Sequence, residues 1–198
     1  MSALPSLSTA AATSTRPAGF TVWLTGLSGA GKTTIALALE AELLRRGFPV
    51  ERLDGDIVRE SLTRDLGFSR EDRDKNVERV GFVARLLTQH GVGVVAAFIS
   101  PYRAAREKLR TEIDNFIEVY VEAPLETCIA RDVKGLYAKA LAGQVTHFTG
   151  VDDPYEAPEA PELTIHTDRL SLVESVQQIT HYLETRGLLP AADDTLNR

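Results

Sequence analysis

The chain has a single cysteine, Cys128, among its 198 residues, so no internal disulfide can form. This excludes the disulfide-stapled class of small secreted domains and favours a reducing compartment. Residues 1–18 also lack the apolar core of a secretory signal, being rich in Ser, Thr, Ala and Pro instead. We therefore predict a cytoplasmic protein in which residues 1–18 are a disordered leader, with an organelle transit peptide as the alternative for this stretch.

Long apolar runs and an excess of positive charge are missing as well. No run approaches the roughly 18 apolar residues that a membrane span requires, and the net charge of −6 is opposite to that of most nucleic-acid-binding domains. We predict neither a membrane nor a nucleic-acid partner. Residues 59–110, however, hold eleven basic residues against seven acidic ones. Such a local basic zone fits either a small anionic ligand or a solvated helix face.

Short apolar segments alternate with helical patterns along the chain. The predicted strands are residues 20–25, 49–53, 92–100, 116–121 and 163–167, and the predicted helices begin near residues 32, 69, 124 and 171. This alternation predicts an α/β three-layer sandwich with a parallel sheet of about five strands, in one domain spanning residues 19–198. Residues 134–161 break the pattern with a short helical piece and a long irregular stretch, which predicts a lid.

The segment GLSGAGKT, residues 26–33, fits the phosphate-loop pattern GxxxxGK[ST] between a predicted strand and a predicted helix. Its glycines let backbone amides approach phosphate oxygens, its lysine supplies charge to the terminal phosphates and its threonine hydroxyl is the expected Mg²⁺ ligand. A GTPase would also need an Asn-Lys-x-Asp segment, which the sequence lacks. We predict a P-loop NTPase whose nucleotide contacts are Gly26, Leu27, Ser28, Gly29, Ala30, Gly31, Lys32, Thr33 and Thr34.

Two acids follow the second predicted strand in ERLDGDIVRE, residues 51–60. Ligands of open parallel sheets bind beyond the carboxyl ends of the strands, so Asp54 and Asp56 are expected to face the phosphates. Asp54 is our candidate both to orient or deprotonate an acceptor hydroxyl and to hold the metal, with Lys32 as the second catalytic residue. Arg59 would hold an anion of the acceptor. The alternative is that Asp56 only caps a helix and Asp54 is a turn residue.

Five further segments resemble, in order and spacing, the adenylylsulfate kinase family. They are LDGDIVR (53–59), LGFSREDRDKN (66–76), ISPYRAAR (99–106), EAPLETCIARDVKGLYAKALAG (122–143) and FTGVDDPYEAPEAPEL (148–163), and the resemblance runs from about Phe20 to Arg186. It implies a nucleotide-kinase-like fold, a homodimer and a role in sulfate assimilation. It also implies transfer of the ATP γ-phosphate, with Mg²⁺, to the ribose 3′-hydroxyl of adenosine 5′-phosphosulfate, giving 3′-phosphoadenosine 5′-phosphosulfate and ADP.

The resemblance also implies site residues. Guanidinium and amide groups would contact the phosphosulfate and ribose, two phenylalanines would stack on the substrate adenine, and lid residues would cover it. A further arginine would lie near the ATP adenine, and one serine matches a position that can carry phosphate in some relatives. Core packing is the alternative for the phenylalanines, and a strand-end cap for the serine. The phosphosulfate and ribose contacts would be Arg59, Arg73 and Asn76, with Asp56 also on the acceptor side. The stacking rings would be Phe68 and Phe148, and the lid residues Lys134 and Leu136. The arginine near the ATP adenine would be Arg131, and the serine is Ser100.

Two other functions stay open at this point. One is a non-catalytic, regulatory nucleotide-binding module of a sulfurylase fusion, and the other is a related small-molecule kinase. Four positions depart from the family pattern: Ile57, Lys75, Glu78 and Val133. Ile57 replaces an asparagine, which removes a side-chain hydrogen bond worth about 0.5–1.5 kcal/mol and bears on substrate affinity.

Overall fold

A computed structural model describes residues 17–191, so nearly all of the predicted leader lies outside the described residues. The elements are β1 (Phe20–Thr25), α1 (Lys32–Arg45), β2 (Val50–Asp54), α2 (Gly55–Glu60), α3 (Arg70–Gln89), β3 (Gly93–Ala97), α4 (Arg103–Glu112), β4 (Phe116–Glu122), α5 (Leu125–Arg131), α6 (Leu136–Leu141), β5 (Leu163–His166) and α7 (Leu172–Thr185). Within residues 17–191 no helix is long and apolar enough to cross a membrane.

The five strands form one sheet in the order β2-β3-β1-β4-β5, and every neighbouring pair is parallel. β1 lies at the centre and all six of its residues are buried, as its β-branched and aromatic composition predicts. Because the strands are parallel, all their carboxyl ends meet at one edge of the sheet. The phosphate-binding loop, Gly26–Thr33, leaves β1 at that edge.

Side chains of β1 alternate between two apolar clusters, one on each face of the sheet. Phe20, Val22 and Leu24 belong to the cluster that contains the apolar faces of α1 and α7, whereas Trp23 belongs to the cluster of α3 and α4. Cys128 is buried in the first cluster, as predicted for a small apolar residue. The helices therefore cover both faces, and the predicted three-layer sandwich with five parallel strands is confirmed.

The predicted helices end where the sequence signals indicate, but two further helices, α2 and α4, were not predicted. Ser69 caps α3, whose start was predicted near this residue, and Gly47 takes a left-handed φ of 70° just after α1. The sequence analysis placed no helix at α2 or α4. α2 is only six residues long, and α4 turns Arg106 and Leu109 to the core, so its buried face lacks the apolar period that marks a helix.

The predicted lid, residues 134–161, divides into two parts by its contacts. The second part is bonded to the body, since Glu156 N donates to Pro101 O at 2.8 Å and Arg106 donates to Glu156 O at 2.6 Å. Tyr155 also reaches the end of β1, where its hydroxyl lies 3.0 Å from that of Thr25. We call residues 152–162 the strap. The lid stays a proposal, and it applies to the part before residue 152.

Candidate active site

A cavity of about 680 Å³ opens at the carboxyl edge of the sheet, between the phosphate-binding loop, α2, α3 and α6. Every residue that the sequence analysis assigned to the acceptor side lines it. Of the predicted nucleotide contacts, seven line it, while Gly26, Leu27 and Ala30 do not. The predicted residues at its wall are Ser28, Gly29, Gly31, Lys32, Thr33, Thr34, Asp54, Asp56, Arg59, Phe68, Arg73, Asn76, Ser100, Arg131, Lys134, Leu136 and Phe148.

The bend of the phosphate-binding loop requires glycine at two positions. Gly26 has a φ of 147° and Gly29 a φ of 75°, both outside the range that other residues adopt readily. Space is also lacking, because a Cβ on Gly26 would lie 2.3 Å from Val121 O and one on Gly29 would lie 2.9 Å from Cys128 O. The loop therefore packs its backbone directly on β4 and α5, which leaves its other side facing the cavity.

The first turn of α1 is built for an anion. Its N-cap, Gly31, offers no side-chain hydrogen bond, and the turn contains no acidic residue. The amides there keep the positive end of the helix dipole directed at the cavity, whereas α3 and α7 are capped by serines. This arrangement fits the phosphates of a nucleotide.

Lys32 folds back on the loop that carries it. Its Nζ donates to Gly26 O at 2.9 Å and to Leu27 O at 2.7 Å, and the side chain is buried. Burial lowers the pKa of Lys32 from 10.5 to about 8, with Lys134 adding a smaller effect of the same sign. The ammonium group is thus held where a phosphate oxygen would restore its lost solvation.

Asp54 joins the second strand to the phosphate-binding loop. Its Oδ2 accepts a 2.9 Å hydrogen bond from the Thr33 hydroxyl, and its Oδ1 accepts one of 3.0 Å from the Asp56 amide. Asp54 is therefore the N-cap of α2, and the alternative in which Asp56 caps this helix is wrong. The side chain is only 4% exposed, which places an acceptor-only carboxylate at the wall of the cavity.

The Thr33–Asp54 pair also fits Mg²⁺, because hydroxyl and carboxylate oxygens are the ligands this ion prefers. Among residues 17–191 there is no cluster of three His, Cys, Asp or Glu side chains that would hold a metal on its own. Mg²⁺ in kinases commonly uses one or two protein oxygens together with phosphates and water. The residues present thus fit the ion that the sequence predicts.

The acceptor wall is formed by α2, α3 and the loop between them. Arg59 lies with its guanidinium carbon 4.4 Å from the centre of the Phe68 ring, a cation–π contact on a ring that is 56% exposed. Asn76 is buried, and its Oδ1 has no hydrogen-bond partner among residues 17–191. Unpaired buried acceptors are costly, so this oxygen is available to a ligand donor in the cavity.

The Arg73 guanidinium donates hydrogen bonds to two backbone carbonyls. Its Nε donates to Phe68 O at 2.9 Å and its NH2 group donates to His147 O at 2.5 Å. These carbonyls belong to the two loops that carry Phe68 and Phe148, so Arg73 joins them across the cavity. Arg73 is a predicted substrate contact, and its bonds to the two loops are an additional role that the sequence does not indicate.

Phe148 lies at the wall and in the core at once. It is buried, and its ring meets that of Tyr137 edge to face at a centroid distance of 5.0 Å. Tyr137, which the sequence analysis missed, donates from its hydroxyl to Ser28 O at 3.0 Å. Core packing therefore accounts for part of the Phe148 contacts, while Leu136, beside Tyr137 on α6, also reaches the cavity.

The mouth of the cavity is spanned by an ion pair between Lys134 and Asp56, which joins the proposed lid to α2. More than half of each side chain is exposed. Exposed pairs of this kind contribute about 0–1 kcal/mol, so a bound anion can replace Asp56 as the partner of Lys134 at little cost.

At the other end of the cavity, Arg131 is held by Thr167. The guanidinium donates to the Thr167 hydroxyl at 3.0 Å and to Thr167 O at 2.8 Å, and the same hydroxyl donates to Ala30 O at 2.8 Å. Thr167 thus links Arg131 to the phosphate-binding loop. The sequence analysis missed it, although it follows β5 directly and the end of a parallel strand is a signal for the site.

Ser100 follows β3 and is buried, with an unusual φ of 39°. Its hydroxyl accepts from Trp23 Nε1 at 3.0 Å and donates to the Thr25 hydroxyl at 3.0 Å. Both bonds are internal, so the strand-end alternative accounts for this hydroxyl and Ser100 contributes to the cavity as a neighbour. The four departures from the family pattern lie at exposed positions, and none of them provides a bond described above.

The sequence and the structure were both compared with known proteins. The family model described as Adenylylsulphate kinase matches residues 18–166. A probable adenylyl-sulfate kinase of Pseudomonas aeruginosa is 63% identical over 81% of this chain and 75% of its own length. An adenylyl-sulfate kinase of Halothermothrix orenii is 56% identical over 90% of this chain and 96% of its own.

Among solved structures, the Mycobacterium tuberculosis APS kinase in complex with AMPPNP and APS superposes with a TM-score of 0.81 at 46% identity. The match covers 85% of this chain and 99% of that one. Sequence, fold and the geometry of the cavity agree. The chain belongs to the adenylylsulphate kinase family.

Proposed function

We propose that this protein transfers the γ-phosphate of ATP to the ribose 3′-hydroxyl of adenosine 5′-phosphosulfate, forming 3′-phosphoadenosine 5′-phosphosulfate and ADP in sulfate assimilation. The observation that carries the proposal is the contact between Asp54 and the phosphate-loop Thr33 at 2.9 Å, in the same cavity as the unpartnered Asn76 oxygen. This contact supports a role for the Asp54 carboxylate between a bound nucleotide phosphate and the acceptor hydroxyl.

The donor half consists of the phosphate-binding loop, the first turn of α1 and Arg131. Backbone amides and Lys32 bind the phosphates, while Arg131, fixed by Thr167, lies where it can flank the adenine. Thr33 and Asp54 would hold Mg²⁺, which when bound neutralises charge on the terminal phosphates. Asp54 takes the proton of the acceptor hydroxyl or orients that hydroxyl, since its oxygens accept but cannot donate.

The acceptor half consists of Asp56, Arg59, Phe68, Arg73, Asn76, Lys134, Leu136 and Phe148 around the same cavity. Asn76 Oδ1 would accept from a ribose hydroxyl, and the cationic groups would bind the phosphosulfate. Phe68 and Phe148 offer aromatic faces to a purine. This pairing of cations with two aromatic rings supports an adenylyl acceptor over the small sugar of a related kinase.

Three further features stay proposals: the lid before residue 152, the homodimer and the cytoplasmic location. The regulatory-module alternative is opposed by the arrangement of Lys32, Thr33 and Asp54, which fits a working phosphoryl-transfer site. All three residues line the cavity.

The proposed function is tested by following ADP release with ATP, Mg²⁺ and a panel of acceptors. We expect rapid ADP release with adenosine 5′-phosphosulfate and little with gluconate, shikimate or adenosine 5′-monophosphate. ATP binding without ADP release for any acceptor would favour the regulatory module instead. Faster turnover with a sugar acid would favour the related kinase.

Removing the exposed aromatic ring should weaken acceptor binding. We expect Phe68→Ala to raise the KM for adenosine 5′-phosphosulfate by about 5- to 150-fold, the equivalent of about 1–3 kcal/mol for a lost base–aromatic stack. Phe148→Ala should act in the same way and also lower the thermal stability, because its ring packs on Tyr137. Steady-state kinetics with each substrate varied provide the measurement.

Phe82→Ala is the matched control, since Phe82 is 53% exposed on α3 and does not line the cavity. Its kinetic constants should equal those of the unmodified protein. If Phe68→Ala shared those constants, Phe68 would be an ordinary surface residue and not a substrate contact.

A further inference from the structure

The side chain of Asp153, in the strap, contacts three residues: Tyr102, Arg73 and Thr149, whose hydroxyl donates to Asp153 Oδ2 at 3.5 Å. Its two carboxylate oxygens accept from the Tyr102 hydroxyl at 3.0 and 3.1 Å. Its Oδ2 lies 3.9 Å from Nε of Arg73. The side chain is only 14% exposed, so these contacts are shielded from water more than a surface pair would be.

The backbone of Asp153 also closes the turn that presents Phe148. Gly150 N donates to Asp153 O at 2.8 Å, and Asp153 N donates to Phe148 O at 3.2 Å. Arg73, which faces the carboxylate, donates in turn to His147 O at the start of this turn and to Phe68 O on the opposite loop. A single residue is thus connected to both aromatic loops and to the arginine between them.

Tyr102 gives the carboxylate a rigid partner. It is the N-cap residue of α4, it is 2% exposed, and the guanidinium carbon of Arg70 lies 4.2 Å from the centre of its ring. Neither Tyr102 nor Asp153 is among the residues that line the cavity. Their effect on a ligand must therefore be exerted through neighbours that do line it, namely Arg73, Phe148 and Thr149.

We propose that Asp153, held by Tyr102, is a positioning residue for the acceptor: it fixes Arg73 and the Phe148 turn in the geometry that binds the acceptor nucleotide. This inference rests on the proposed function. It makes no claim on the donor half, since the contacts of Asp153 do not reach the phosphate-binding loop.

The test is to compare Asp153→Asn, Tyr102→Phe and the double variant in the ADP assay. We expect each single variant to raise the KM for adenosine 5′-phosphosulfate about tenfold, as for the loss of a hydrogen bond to a charged group, with the KM for ATP unchanged. The double variant should be no worse than the stronger single one, because both changes disrupt the same pair.

Glu159→Gln is the control, because Glu159 lies in the same strap and, within the described part of the chain, pairs only with Arg103 at an exposed position. It should leave both KM values unchanged. If Asp153 had a purely structural role, thermal stability and total activity would fall while both KM values stayed at those of the unmodified protein, and that result would overturn the proposal. Absence of ADP release in the unmodified protein would instead reject the proposed function.

Discussion

Replacing Asp54 by asparagine should reduce kcat by at least about 10³-fold, within the range that a positioned general base contributes. The amide is nearly isosteric with the carboxylate, and asparagine is as good an N-cap as aspartate. Its oxygen can keep accepting from the Asp56 amide, and its NH2 group can donate to the Thr33 hydroxyl in place of the bond that Asp54 accepts there. What it loses is the negative charge and the capacity to accept a proton, which are the properties that the proposed mechanism uses.

ADP release under saturating substrates measures the loss, and calorimetric titration with an ATP analogue measures binding. Asp54→Ala should also abolish turnover while nucleotide binding persists, although the lost cap costs about 1 kcal/mol of stability. Glu51→Gln, which changes an exposed acid on the same strand, should behave like the unmodified protein. Turnover retained by Asp54→Asn would remove Asp54 from its catalytic role.

The nucleotide half of the site is readable from sequence because its geometry is local. The phosphate-binding loop requires glycines, a lysine and a threonine within eight consecutive positions, and the strand and helix around it have clear apolar patterns. The position of Asp54 beside the phosphates was predicted from one additional rule, that the carboxyl ends of parallel strands share an edge of the sheet. The observed contact between Asp54 and Thr33 agrees with that rule.

The supports of the acceptor half were not readable, because they join residues far apart in the chain. Arg106 illustrates the difficulty: its fully buried guanidinium donates to Glu118, to Ser100 O and to Glu156 O. In sequence, Arg106 cannot be told from a charged residue on a solvated helix face, so α4 was not predicted. For the same reason, the basic zone of residues 59–110 fitted both an anionic ligand and a solvated helix face. Only the fold shows that this charge faces inward and anchors the strap.

The division of the predicted lid has the same cause. The irregular composition of residues 134–161 predicts a lid, but composition does not distinguish a moving segment from one fixed by long-range bonds. Tyr155 and Glu156 are fixed in this way. The strap is thus bonded to the body of the protein, and its Asp153 backbone bonds to the turn around Phe148, which supports the proposed indirect role of Asp153.

Replacing Lys32 by methionine should lower kcat/KM for ATP by about 10²- to 10³-fold, the cost typical of removing one preorganised donor from developing phosphate charge. Burial holds the pKa of Lys32 near 8 in the nucleotide-free protein. Below that pH the ammonium is already charged and binds phosphate fully. Above it the neutral amine must take up a proton on binding, so the affinity for nucleotide should fall by up to about tenfold per pH unit.

Calorimetric titrations with an ATP analogue between about pH 7 and about pH 9.5 resolve this effect, because the phosphates themselves titrate near pH 6 and stay ionised throughout. The unmodified protein should lose affinity across that range and take up a proton on binding, whereas Lys32→Met should bind weakly with no such step. Lys108→Met, a change on α4 outside the cavity, should keep the step. If Lys32→Met showed the same loss of affinity with pH and the same proton uptake, another group would be titrating. The Lys32 ammonium would then not be the charge that binds the phosphates.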